Sequence, residues 1–376
     1  MMEPVIVDLA RTPFGRREGW LSSMHAAELL GLAQRGVLER TGVDPETVDQ
    51  VIGGCVTPIG EQFGNVTRTS WMHAGLPHGA GCTTIDAQCG TAQQAVQLMA
   101  GQIAVGAVEV GVSCGVELMS RVPLTAKSGK GLGTPRPESW SLVTPDQYTA
   151  ADRIAAKNGF TREDLDAFGL RSQERGRAAW DADRFARQII PVTRPDGETV
   201  SRDQGLRETS MELLGRLRPV KDGGMHTAGT SSQVSDGASA ALLMSRERAS
   251  ALGVTPRARI LGQCVVGGDT ELMLDGPIAA SRTVLGRLGM SIGDIDVFEV
   301  NEAFASVPMS FARAHGLDAE QLNVNGGAIA LGHPAGATGV RVIATALEEL
   351  ERTNQQTALV AICASAATTC LVLERL

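Results

Sequence analysis

Cys89 stands in TTIDAQCGTAQQAVQLMAGQIAVG, where a short β-type run passes into a helical one. A cysteine at such a junction lies at a helix N-terminus, where the peptide dipoles favour the thiolate. The backbone N–H groups there can also hold a developing oxyanion. A nucleophile on a strand-to-helix turn fits this position, and so does a buried cysteine opening a core helix. His333 lies in NGGAIALGHPAGATG (325–339), between Gly332 and Pro334 and just ahead of a helical run. Glycines there let the backbone bend and approach closely, so His333 reads as a general base or as a loop histidine with no task. Asn301 follows the apolar run DVFEV in EVNEAFA (299–305). Its amide can orient a water or donate to a carbonyl, and it can also cap the next helix. Cys363 ends TALVAIC (357–363) and is followed by Ala364, Ser365 and Ala366. It is either packing or a second reactive thiol at a strand end. His25, His73, His78, His226 and His315 have no comparable context.

The rest of the composition narrows the chemistry. The chain has 376 residues, 43% hydrophobic and 20% charged, which suits a globular protein of two or three domains or two fused halves. Aromatic residues are only 3%, so packing must rest on Ala, Val, Leu, Ile and Gly. A net charge of −8 argues against a nucleic-acid surface. No basic leader with an apolar core opens the chain, and no run has the apolar length of a membrane span. The cysteines number seven, with no C-x-x-C pair, which points to a reduced, cytoplasmic setting. Cys82–Cys89 and Cys363–Cys370 share a spacing of seven, but zinc sites favour two to four intervening residues. No metal or prosthetic group is expected. Neither a P-loop nor a dinucleotide fingerprint fits the glycines of 325–339.

These side chains must be positioned by an alternating set of elements. VIVDLA (5–10), DQVIGGCV (49–56), TTIDAQ (83–88) and VEVGVSCG (108–115) read as strands, with helices over 24–40 and 89–106. Residues 120–235 differ: they are richer in charge, with Gly- and Pro-rich stretches such as GKGLGTPRPES (129–139), and read as an inserted region. DGASAALLMS (236–245) returns to strand character. The last third repeats the first, with strands at 257–266, 294–300, 322–325 and 357–363, a final strand in CLVLERL, and helices over 276–290 and 337–353. Alternation of this kind implies parallel strands covered by helices. In such sheets ligands sit at the carboxyl ends of the strands, where Cys89, Asn301 and Cys363 all fall.

Taken together, these segments resemble the thiolase family along nearly the whole chain. DAQCGTAQQA, GMHTAGTSSQVSDGASA (224–240), EVNEAFA, NVNGGAIALGHPAGATG and the late cysteine carry the resemblance. GWLSSMHAAELLG, DQVIGGCV, HTAGTSSQ and LDGPI look like the actinobacterial thiolases of steroid side-chain breakdown. The family implies an α/β fold of two duplicated five-stranded halves in α-β-α-β-α layers. Residues 1–119, completed by a strand near 236–246, would form the first half, 120–235 a loop domain that binds coenzyme A, and 247–376 the second half. It also implies a homodimer or homotetramer, with no nucleic-acid or membrane partner. The implied reaction is reversible cleavage of a 3-ketoacyl-CoA by coenzyme A, giving acetyl-CoA (or propionyl-CoA) and a shortened acyl-CoA. On that resemblance Cys89 becomes acylated, His333 takes its proton, and Cys363 protonates the leaving carbanion. Asn301 acts through a water, the N–H groups of Cys89 and Ser365 form an oxyanion hole, and Arg218 and Ser232 touch coenzyme A. Decarboxylating ketoacyl synthases share the fold but use a histidine where this chain has Asn301.

Two departures stand out. Relatives usually follow the late cysteine with x-Gly-Gly, whereas here it is Ala364–Ser365–Ala366; they follow the nucleophile with x-Ser-Gly, whereas here it is Gly90–Thr91–Ala92. If the 364–366 loop needs a left-handed backbone, alanine and serine impose strain or a different path. A thiolase-like binding or partner subunit with weak turnover is therefore the alternative to an active enzyme.

Overall fold

The structure is a computed structural model and describes residues 1–128, 133 and 136–376. Of the stretch 129–139, residues 129–132 and 134–135 lie outside the described residues. The first half runs β1 (Pro4–Arg11), β2 (Gly15–Arg16), α1 (Ala26–Thr41), β3 (Gln50–Gly54), α2 (Val66–His73), β4 (Gly81–Ile85), α3 (Thr91–Ala104) and β5 (Val110–Leu118). The inserted region holds α4 (Gln147–Lys157), α5 (Arg162–Asp181), the small hairpin β6 (Val192–Thr193) and β7 (Thr199–Val200), and α6 (Met211–Gly215). Then β8 (Ser235–Ser245) and α7 (Arg246–Leu252) lead into the second half. That half comprises β9 (Ala258–Val266), α8 (Gly276–Leu288), β10 (Val297–Val300), α9 (Ser306–His315), α10 (Ala328–Leu331), α11 (Thr338–Thr353), β11 (Thr357–Ile362) and β12 (Thr368–Arg375).

Alternation along the strands builds the layers. On β8, Ala240, Leu242 and Met244 face α1 and α2, while Ala241 and Leu243 face α3 and α11. On β11, Ala358, Val360 and Ile362 face that same helix pair, and Leu359 and Ala361 turn to the layer of α8 and α9. With helices covering both faces, all residues of β5 and β8 are buried, Ser235, Asp236 and Ser239 included. The layers are thus α-β-α-β-α. Within the first sheet β3 runs parallel to β4 and β5, while β5–β8 and β8–β1 are antiparallel. Antiparallel pairing of β1 with β9 joins the two halves into one sheet.

The middle layer is close-packed through small residues. A Cβ on Gly339 would lie 2.1 Å from the Gln93 backbone nitrogen, so glycine at the start of α11 lets the two inner helices touch. Gly336 likewise meets the backbone of Val116 and Gly54.

The expected strand at 322–325 does not form. Leu322 makes only an isolated parallel bridge to Phe298. Asn323 then turns to φ 51° and its amide replaces the ladder, accepting from Val300 N at 2.8 Å and donating to Val300 O at 2.8 Å. His25, with no assigned role in the sequence, caps α1 in a reciprocal pair with Glu28.

Candidate active site

Cys89, Asn301 and Cys363 lie just past the carboxyl ends of β4, β10 and β11, respectively. The turn before Cys89 is held by side chains. Asp86 accepts from Gln88 N at 2.8 Å, and the Thr91 hydroxyl accepts from Ala87 N at 2.9 Å while donating to Gln88 O. Gln88 itself sits at φ 53°, a left-handed backbone that costs a non-glycine residue roughly 1 kcal/mol or more. Cys89 emerges half-buried at the head of α3. It lines a cleft of about 290 Å³ with Val56, Gln88, Leu124, Ala335, Ala364 and Ser365, closed further by Gln147, Met273 and Leu274.

The second thiol is different in kind. Cys363 is fully buried. Burial first, and then the neighbouring Cys89, push its thiol well above the usual cysteine range, although the Ala303 N–H faces its sulfur. It therefore remains protonated at neutral pH. One thiol borders the cleft and the other is buried and protonated.

His333 is fixed from three sides. Gly332 precedes it at φ 103°, and His333 N donates to Ser235 Oγ at 3.0 Å. Its Nδ1 lies 2.7 Å from Thr338 Oγ1, and that hydroxyl donates to Pro334 O at 2.9 Å. With its proton committed, the hydroxyl can only accept from the ring, so Nδ1 carries the hydrogen and Nε2 keeps its lone pair. Burial, aided by the Arg341 charge, lowers the ring's pKa from 6.5 to about 3. Nε2 and both amide atoms of Asn301 are buried without a partner among the described residues. They are polar groups available to a ligand. Asn301 N donates to Ala361 O at 2.9 Å, which ties it to the strand leading into Cys363.

Cys89 and Ser365 thus share one cleft, with Ala335 of the His333 loop in its wall and Cys363 close to Cys89; His333 and Asn301 themselves are not among its lining residues. Ser232 is not among the cleft-lining residues; its N–H donates to Ala303 O at 2.9 Å. Arg218 lies exposed in the inserted region.

Two buried carboxylates, neither assigned a role from local pattern, hold these loops. Glu117 accepts from Val56 N at 2.9 Å, Thr57 N at 3.1 Å, Gly336 N at 3.0 Å and Gln62 Nε2 at 3.0 Å. It fastens the loop after β3 to the loop of His333. Glu302 accepts from Ser172 Oγ at 2.6 Å, Asn323 Nδ2 at 3.0 Å and Ile329 N at 3.2 Å. Glu117 is marked only as a carboxylate inside a largely apolar, buried strand, and Glu302 only by its place beside Asn301.

A half-buried thiol just ahead of a helix N-terminus, with a buried, protonated thiol close to it, is an arrangement suited to acyl transfer through sulfur. Residues 4–247 match the thiolase N-terminal domain and residues 254–375 the thiolase C-terminal domain. The chain is 41% identical to a steroid 3-ketoacyl-CoA thiolase of Mycobacterium tuberculosis, over 100% of this chain and 95% of that one. It is 39% identical to a beta-ketoadipyl-CoA thiolase of Pseudomonas aeruginosa, over 96% of each. Its fold superposes on the crystal structure of the Bacillus anthracis acetyl-CoA acetyltransferase with a TM-score of 0.92, at 32% identity, covering 100% of this chain and 99% of that one. The chain belongs to the thiolase family, and its activity is that of a thiolase, an acyltransferase acting on coenzyme A thioesters.

Proposed function

We propose that this thiolase cleaves a 3-ketoacyl-CoA through an acyl-Cys89 intermediate. The observation that carries the assignment is the asymmetry of the two thiols: Cys89 borders the cleft, whereas Cys363 is buried and protonated. Nε2 of His333 takes the Cys89 proton as the sulfur attacks the ketone carbon. An imidazole with so low a proton affinity does this in concert with the attack, as negative charge moves onto the substrate oxygen. The bond between the α- and β-carbons then breaks, leaving the acyl group on Cys89 and a carbanion on acetyl-CoA or propionyl-CoA. Cys363 gives that carbanion its proton. In the second half the Cys363 thiolate takes the proton of an incoming coenzyme A thiol. The coenzyme A sulfur then attacks the thioester, and His333 returns its proton to Cys89.

The oxygens need two cradles. His333 with Asn301, acting through a water, serves the thioester oxygen of acetyl-CoA. The N–H groups of Cys89 and Ser365 serve the oxygen on the acylated cysteine. Residues 120–235 form the coenzyme A-binding region, with Arg218 and Ser232 as contacts. The acyl group comes from steroid or fatty-acid side-chain breakdown, a reading supported by the likeness to the mycobacterial steroid enzyme. The free edge of β4 and the exposed Phe63 support a homodimer or homotetramer. A mechanism that needs both thiols reduced suits a reducing cytoplasm.

The test is loss of ketoacyl absorbance when the protein meets free coenzyme A and 3-ketoacyl-CoA substrates of short, medium and steroid type. Coenzyme A-dependent loss with at least one substrate is expected. No turnover with any of them would overturn the proposal in favour of a binding or partner subunit.

A further inference from the structure

The loop from Cys363 to Ala367 has no glycine, and none of its residues has a positive φ. The strain expected of alanine and serine there is absent. Such a loop has a gentler path, and its direction must come from contacts. On one side the Thr368 hydroxyl accepts from Ala364 N at 3.3 Å and donates to Ala364 O at 3.2 Å. On the other, a single oxygen, Gln88 Oε1, accepts from Ser365 Oγ at 2.7 Å and from Ala366 N at 3.2 Å. Both lone pairs of that oxygen are then used. Gln88 is also the residue held left-handed, at φ 53°, directly before Cys89. Backbone strain persists where surrounding bonds over-determine the conformation, and here the strained residue is the one that reaches across to the facing loop.

We infer that Gln88 is a positioning residue: its carboxamide oxygen latches the loop of Cys363 and Ser365 to the turn that presents Cys89. The inference rests on the thiolase reading above and adds to it the device that fixes the two thiols relative to each other. The Ser365 N–H lies between Ala364, held by Thr368, and Ala366, held by Gln88. Its direction is therefore set from both sides. Gly90 adds closeness to the same joint, since a Cβ there would lie 2.9 Å from Thr369 Oγ1 and 3.0 Å from Ala367 O. Without the latch the loop swings, the oxyanion donor loses alignment, and the buried Cys363 opens to solvent.

The test compares wild type with Gln88→Leu, which keeps the size and removes the acceptor, and with Gln88→Glu, which keeps an acceptor oxygen. Thiolysis kinetics and iodoacetamide labelling, mapped by peptide mass spectrometry, are read on each folded protein. Gln88→Leu should lower kcat roughly ten- to hundredfold, the scale of a misaligned oxyanion donor, with KM changed less than about threefold. Cys363 should resist labelling in wild type and Gln88→Glu, and become labelled in Gln88→Leu. If Gln88→Leu fails to fold, Ser365→Ala, which removes one of the two donors, should label faster at Cys363 than wild type. Unchanged kcat and an unlabelled Cys363 in Gln88→Leu, or in Ser365→Ala if that variant carries the test, would overturn the latch while leaving the thiolase reading intact. Absence of turnover in wild type would overturn the thiolase reading, and the labelling pattern would still decide the latch.

Discussion

His333 should make this protein acid-labile by an amount that can be worked out in advance. Burial and Arg341 lower its pKa from 6.5 to about 3. The unfolded chain therefore binds a proton near pH 6.5 that the folded chain refuses until about pH 3. Stability from the neutral ring is fully present above the unfolded value and is lost as pH falls through the window between the two. Each pH unit in that window costs about 1.4 kcal/mol. By pH 5.5 the loss attributable to this one residue is about 1 kcal/mol, and by pH 4.5 about 3 kcal/mol. His333→Asn, polar and uncharged throughout, removes the effect. Arg341, whose charge helps lower the ring's pKa, is paired at 3.8 Å with Glu299, whose carboxyl is raised to about 8 by burial. Both residues remain in the variant, so their contributions largely cancel in the comparison. Urea unfolding at pH 7.5, 5.5 and 4.5 should show wild type losing more than His333→Asn by these amounts. Parallel losses in the two proteins would refute the assignment of a neutral, desolvated His333.

Packing and loop anchoring give two further expectations. Gly339→Ala forces a methyl against the Gln93 backbone at 2.1 Å; it should destabilise the protein by about 1–3 kcal/mol, read as a lower urea midpoint with unchanged slope. Glu302→Gln places a donor where three donors converge and should cost about 1–3 kcal/mol, with kcat falling because Asn301 is its neighbour; wild-type stability would contradict the anchoring role.

Periodicity was enough to read the layers, because β5, β8 and β11 are apolar on both faces and α11 carries an apolar stripe along its length. Cys89 and His333 stood out for a local reason: each sits where a glycine-bearing turn meets a helix. The carboxylates and Gln88 were invisible because their partners are distant. Gly336 N is 219 residues from Glu117, and Ser365 is 277 from Gln88. No local pattern marks a bond of that span. The strand misplaced at 322–325 failed for a different reason, since a β-like run can end in a residue whose side chain replaces the ladder, as Asn323 does. The missing glycines were read as a source of strain because the loop's backbone path is a tertiary property. With every φ in that loop negative, their loss removes flexibility without imposing strain.

Cys89, and not Cys363, should carry the acyl group. Incubation with a 3-ketoacyl-CoA in the absence of free coenzyme A, an acid quench and peptide mass spectrometry test it most directly. One acyl adduct is expected on the peptide bearing Cys89, released by added coenzyme A and absent in Cys89→Ala. An adduct on Cys363, or none on a protein that still turns over, would contradict it.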